Sequence, residues 1–172
     1  MLTQKEFKTL VSVLGFDKAM KIATQNGEPK TNKSITIEKG KVMKLFKYIS
    51  EKDKLITMLE NKKCFDEAIS AYATLSVRVV YALALIHGIE IKVNEKNQVG
   101  ATELIKVQQQ LLEKKVLTQD IFVGIGNIQR SFNTLKHQID EPYRISETIA
   151  NKHKVIYRSL YRILKMSVDK IK

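Results

Sequence analysis

Cysteine occurs once in the 172 residues, at Cys64. A lone thiol excludes an internal disulfide and fits a reducing compartment, so a cytoplasmic protein is expected. No histidine stands near Cys64 in sequence to activate it, which argues against a thiol nucleophile. Proline occurs twice and glycine seven times, against many Leu, Ile, Lys and Glu, and this balance predicts helix throughout. No glycine-rich phosphate loop follows a strand, and no pair of Cys or His has zinc spacing, so neither a metal nor another cofactor is expected. Met1 to Phe7 contains no apolar run, so no secretory signal is expected.

What is abundant is positive charge. The net charge of +12 favours an anionic partner, nucleic acid above all, or serves solubility alone. Residues 1–65 carry 14 basic and 7 acidic groups, and residues 66–172 carry 16 and 11. From Pro142 onward there are 8 basic and 2 acidic groups, so the excess is concentrated near the end. An AT-rich genome that writes lysine often would instead scatter Lys without forming a patch.

Along the chain, Thr3 and Glu6 make a capping box for a short helix closed by Gly15, and Asp17 to Gln25 reads as a second. Ser34-Ile35-Thr36-Ile37 alternates like a brief strand. A small DNA-reading module is an alternative for this region, although no turn signature supports it. Lys41 to Lys63 is a longer helix with Val42, Leu45, Phe46, Ile49, Ile56 and Leu59 inward and Lys52 and Asp53 interrupting. Residues 1–63 are thus expected to form a helical appendage, either a small domain or a brace.

Asp66 is the expected cap of the most apolar helix, Glu67 to His87, which Gly88 ends. Such a helix is the centre of a bundle or a membrane span. Arg78 at its middle, with no second span to shelter it, favours the bundle and no membrane. Thr102 to Lys114 follows, with Leu104, Val107, Leu111 and Leu112 inward. The last helix runs from about Tyr143 to Lys170 on Ile145, Ile149, Ile156, Leu160 and Ile163. Lys154, Arg158, Arg162 and Lys165 form a basic stripe on it, with His153, Tyr157 and Tyr161 alongside, a pattern able to track a phosphate backbone and stack bases. The same stripe also reads as a solvated face with tyrosines at the core boundary.

Between these lies a helix with two different faces, Ile121 to His137, capped by Thr118. Ile121, Phe122, Ile125, Ile128, Phe132 and Leu135 fall on one side, and Asn127, Arg130, Asn133 and His137 on the other. Seven residues turn a helix to within roughly 20° of the start, so Arg130 and His137 project alike, with Asn133 between them. A guanidinium can grip a phosphate and an imidazole can move a proton near neutral pH, which suits metal-free phosphodiester transfer. The plainer reading is a surface Arg and a His at the negative end of the helix dipole. Gly124 and Gly126 each cost this helix about 1 kcal/mol relative to Ala, and would let another backbone approach.

The run Arg130-Ser131-Phe132-Asn133-Thr134-Leu135-Lys136-His137 resembles the motif of the HEPN family, an Arg followed after four to six residues by His near a helix end. Leu111 to Thr118 resembles that family's approach to its motif helix, and Glu141-Pro142-Tyr143 its break before a last long helix. The resemblance covers roughly Asp66 to Ile171. In the common form Arg and Asn are adjacent, whereas here Phe132 precedes Asn133 and Arg130 lies two positions before Phe132. The resemblance implies an all-α, HEPN-like bundle of about four helices over residues 66–172, behind the small helical segment of residues 1–63. It implies a metal-independent endoribonuclease of toxin or phage-defence type, working as a homodimer on RNA, with an inhibitory antitoxin or regulatory protein as a further partner. Arg130, Asn133 and His137 would be catalytic, and Lys154, Tyr157, Arg158, Tyr161 and Arg162 are the nucleic-acid-binding candidates. The alternative is a non-catalytic module binding nucleic acid or protein through its basic C-terminal helix.

Overall fold

The computed structural model describes residues 32–92, 99–137 and 145–171, with side chains from Lys39 onward. Five helices succeed one another: α1 (Asn32–Asn61), α2 (Phe65–Ile86), α3 (Ala101–Glu113), α4 (Gln119–His137) and α5 (Glu147–Asp169). No strand occurs among the described residues. The short helices expected before Gly27 and the Glu141-Pro142-Tyr143 break lie outside the described residues. The chain divides between Ile37 and Glu38 into two compact units, and the packing described here belongs to the second.

Helix α1 begins earlier than expected, and the predicted strand at Ser34–Ile37 is instead helical. Four alternating residues are too short to separate the two periodicities, and β-branched residues lose only a few tenths of a kcal/mol each in a helix. From Glu38 on, α1 is an integral brace. Val42, Ile49 and Ile56, spaced by sevens, are fully buried against α2 and α5. The turn at residues 62–64, near the expected domain boundary, therefore lies inside one unit.

Helix α2 is the axle. It packs against α3, α4 and α5, and it feeds both buried clusters. One cluster gathers Val79, Leu83, Leu111, Ile125, Leu160 and Leu164, and the other Ile69, Tyr72, Ile128 and Tyr157. Each of these side chains contributes on the order of 1.5–3 kcal/mol by leaving water. By length and composition α2 is also able to cross a membrane, yet more than half of its apolar window is buried in this bundle. Its cap is not the expected one. Cys64 holds the N-cap position without a side-chain hydrogen bond, and the Asp66 carboxylate instead accepts from the Ile145 amide (2.9 Å), fastening the start of α5 to α2.

Three helix ends close with the same paired hydrogen bonds. After α2, Gly88 (φ +63°) and Ile89 donate to Leu85 and Ala84. After α1 and α3 the left-handed position is held by Lys63 and Lys115, both at φ 57°. Val116 donates to Leu111 as Ile89 does to Ala84. A side chain in this region costs about 1–2 kcal/mol, which glycine avoids.

Helices α4 and α5 meet at Gly124, where an added Cβ would stand 2.7 Å from three side-chain carbons of Ile156. The close approach anticipated for this glycine is thus made by a side chain. Gly126 has nothing near it. Gly124→Ala is expected to lower stability by about 1–3 kcal/mol through overpacking. Lys115→Gly is expected to raise it by about 0.5–1 kcal/mol, a gain of roughly two degrees in thermal midpoint. Thermal melts of the two variants check both signs.

Candidate functional site

The Thr118 hydroxyl accepts from the Ile121 amide (3.4 Å) at the start of α4, as the sequence predicts. Burial of Ile121, Ile125 and Ile128 then fixes the helix rotation and leaves Asn127, Arg130, Asn133 and His137 exposed on the outer face. Asn127, Arg130 and Asn133 line an open groove of about 780 Å³ between α3 and α4. Its apolar walls are Leu104, Ile105, Phe122, Val123 and Ile125. Ile105 is 57% and Val123 49% exposed, so the groove presents apolar side chains to solvent. His137, the last residue of α4, lies outside the groove lining. Arg130 and Asn133 are therefore brought together on the groove, and His137 stands beyond it. Seven residues of helix separate the Arg130 and His137 backbones by about 10 Å.

A different histidine reaches the inner side of this helix. Buried His153 of α5 lies 2.8 Å from the Ser131 hydroxyl through its Nε2. Burial holds its imidazole below the ordinary value. His87, at the end of α2, is held low by burial first and then by Lys114 and Lys170. The sequence places His153 with Tyr157 and Tyr161 beside the basic stripe, outside the expected inward row of isoleucines, and the structure buries both His153 and Tyr157.

The basic stripe of α5 has another task. Arg158 Nη1 donates to Asp53 Oδ1 (2.6 Å), and Nη2 donates to Glu60 Oε1 (3.2 Å) and to the Thr57 hydroxyl (3.1 Å). Lys154 Nζ lies 3.0 Å from Glu60 Oε2. The Tyr72 hydroxyl donates to Glu60 Oε1 at 2.6 Å. Two α1 carboxylates, seven residues apart, thus clamp α5 with α2 completing the set. Burial opposes the charge on Glu60, but its bonds from Tyr72, Lys154 and Arg158 outweigh it and hold the carboxyl below its ordinary value. Tyr157, fully buried, has no exposed face on which a base could stack. Burial first, and then the Asp53 charge, hold its phenol above the ordinary range, although its hydroxyl makes no hydrogen bond of good geometry. Tyr161, half-buried, shares a hydrogen bond with Ser50 (2.9 Å). Of the five nucleic-acid-binding candidates, only Arg162 is an exposed side chain without a partner among the described residues. The stacking role expected for Tyr157 is therefore corrected to a structural one, and Arg158 is engaged by two α1 carboxylates. The available signal was Asp53 and Glu60 flanking Ile56 beside the buried stripe, where carboxylates need cations.

Among the described residues no group of three or more His, Cys, Asp or Glu is placed to hold a metal ion. No family model, curated protein or solved structure matches this chain.

Two measurements follow from this geometry. Arg158→Gln leaves two partly buried carboxylates without their main cation, and should cost about 2 kcal/mol, a discounted value because the side chain is 31% exposed. Chemical denaturation gives that number, with Lys154→Gln, more exposed, expected to cost less. The second is pH dependence. His87 and His153 bind protons more weakly folded than unfolded, so the unfolded chain gains protons first as pH falls through about 6.5. Stability is full above that pH and declines toward pH 5, and Glu60 adds a further loss below about 4.5. A melting temperature flat from pH 7 to 5 would contradict this.

Proposed function

We propose that the chain is a metal-independent endoribonuclease whose site is completed by a second copy. The reading rests on one observation above others: Arg130 and Asn133 share an open groove while His137 stands on the same face about 10 Å along the helix. Two copies related by a two-fold axis bring the Arg130 of one toward the His137 of the other, since such an interface pairs each patch with itself reversed. Exposed Ile105 and Val123 supply apolar surface for that contact.

In this reading the His137 imidazole removes the proton from a ribose 2′-hydroxyl, and the oxygen attacks the adjacent phosphorus. The bond to the 5′-oxygen breaks, a second imidazole or water returns a proton to that oxygen, and a 2′,3′-cyclic phosphate remains. Arg130 stabilises the added negative charge on the phosphoryl oxygens, and Asn133 orients the phosphate. DNA, lacking the nucleophile, is inert. The resemblance to the HEPN family is what supports a toxin or phage-defence setting and an inhibitory partner. The alternative binding module has two of the four cations of its stripe, Lys154 and Arg158, engaged with α1, while Arg162 and Lys165 stay exposed.

Purified protein incubated with total RNA and EDTA is expected to cleave it. His137→Ala, folded to the same extent by circular dichroism, should lose about 10²–10⁴-fold of that activity. Absence of cleavage by the wild type, or equal cleavage by the variant, overturns the reading, as does cutting at a site that lacks the 2′-hydroxyl.

A further inference from the structure

Arg78, the charge in the middle of the most apolar helix, has no place in the bundle core. It is exposed, with its guanidinium stacked 4.5 Å above the Tyr48 ring. It lines a second hollow of about 550 Å³, whose other walls include Leu45, Thr74, Val77, Tyr81 and Phe132. Gln129 lines both this hollow and the Arg130 groove, and its amide donates to the Ala73 carbonyl at 2.8 Å, so the two depressions adjoin across one fixed side chain. Neither Arg78 nor Arg130 has an ion-pair partner among the described residues, whereas Lys154 and Arg158 do.

Unpaired guanidiniums on adjoining hollows lined by aromatic rings have a specific chemistry. A guanidinium binds a phosphate by paired N–H bonds, and when one face lies on a tyrosine its other face remains open to a nucleobase. Tyr81 and Phe132 add ring surface beside it. A single strand offers phosphates and unstacked bases in alternation, whereas a duplex keeps its bases covered.

We propose that the two hollows form one track for single-stranded RNA, in which Arg78 binds a phosphate flanking the one held by Arg130 and Tyr81 stacks a base between them. The inference rests on the ribonuclease reading and adds a binding residue to it. Arg78 acts in binding and has no part in the proton transfers.

The test is fluorescence anisotropy with a labelled 2′-O-methyl RNA twelve-mer, which binds but cannot be cut, across a series of salt concentrations. Arg78→Gln should weaken binding about 5–10-fold and reduce the salt slope by about 0.7, the value for one phosphate contact on a single strand. Arg130→Gln should do the same, and Lys54→Gln, an exposed cation on α1 outside both hollows, should change affinity less than twofold. Arg78→Lys, which keeps the charge, should restore the slope while recovering only part of the affinity. If Arg78→Gln binds like Lys54→Gln while Arg130→Gln is impaired, the track is overturned and the ribonuclease reading stands. If all three lose affinity equally, attraction is diffuse and the track is overturned. If the wild type does not bind, both ideas fall.

Discussion

The clamp between α1 and α5 decides most of what this molecule presents to solvent. Asp53 and Glu60 are partly buried, and a carboxylate taken from water without a partner is strongly destabilising. Arg158 supplies the cation, Lys154 assists, and Tyr72 satisfies the remaining lone pair on Glu60 from a third helix. The clamp sits at the edge of an aromatic ladder in which Tyr72, Tyr157, Tyr161 and Phe46 follow one another with centroids 5.2–6.4 Å apart. Together they fix α1 and α5 around α2 in rotation and in register. With α5 set, Ile156 lies against Gly124 and His153 against Ser131, and these contacts reinforce the rotation of α4 that burial of Ile121, Ile125 and Ile128 fixes. The outward row of Arg130, Asn133 and His137 is a consequence of that chain of contacts.

Helix content and the inward faces of α1 and α4 were legible in the sequence because burial and helical period coincide there, whereas of the stripe expected for α5 only Ile145 and Leu160 are buried, and Ala150, His153, Tyr157, Leu164 and Val168 make up the core face. Val42, Ile49 and Ile56, and again Ile121, Ile125 and Ile128, stand out at the right spacing and are buried. The exposed row on α4 follows from the same arithmetic. Three things were not legible, and the first two share one reason: a local pattern cannot say what it faces. Lys154, Arg158 and Tyr157 have the spacing of a nucleic-acid stripe and also that of a helix edge meeting carboxylates, and only the packing of α1 chooses between them. Asp66 precedes an apolar run as a cap does, but its carboxylate is taken by the amide of Ile145, 79 residues later. The Lys63 and Lys115 turns were hidden because the residue that advertises a left-handed position, glycine, is absent from both.

The distribution of charge then acquires a meaning that the total of +12 lacks. A cation contributes to attracting an anion roughly in proportion to its net field, and a carboxylate 3 Å away cancels most of that field beyond a Debye length of about 8–10 Å. The dense basic segment at the C-terminus is therefore weaker as an anion-binding surface than its count implies, since its two most central cations are neutralised by α1. Arg78 and Arg130 are isolated in sequence and carry little weight in any composition window, yet both keep their full charge beside concave apolar surface. Concavity matters because low-dielectric walls reduce screening and focus the field on whatever enters. An apolar helix that tolerates an arginine at its centre is consistent with the same logic: the guanidinium costs α2 nothing in burial, because Tyr48 carries it at the surface. Arg78 and Arg130, which line hollows and have no ion-pair partner among the described residues, thus stand at the junction of α2 and α4, while two central cations of α5 are engaged by α1.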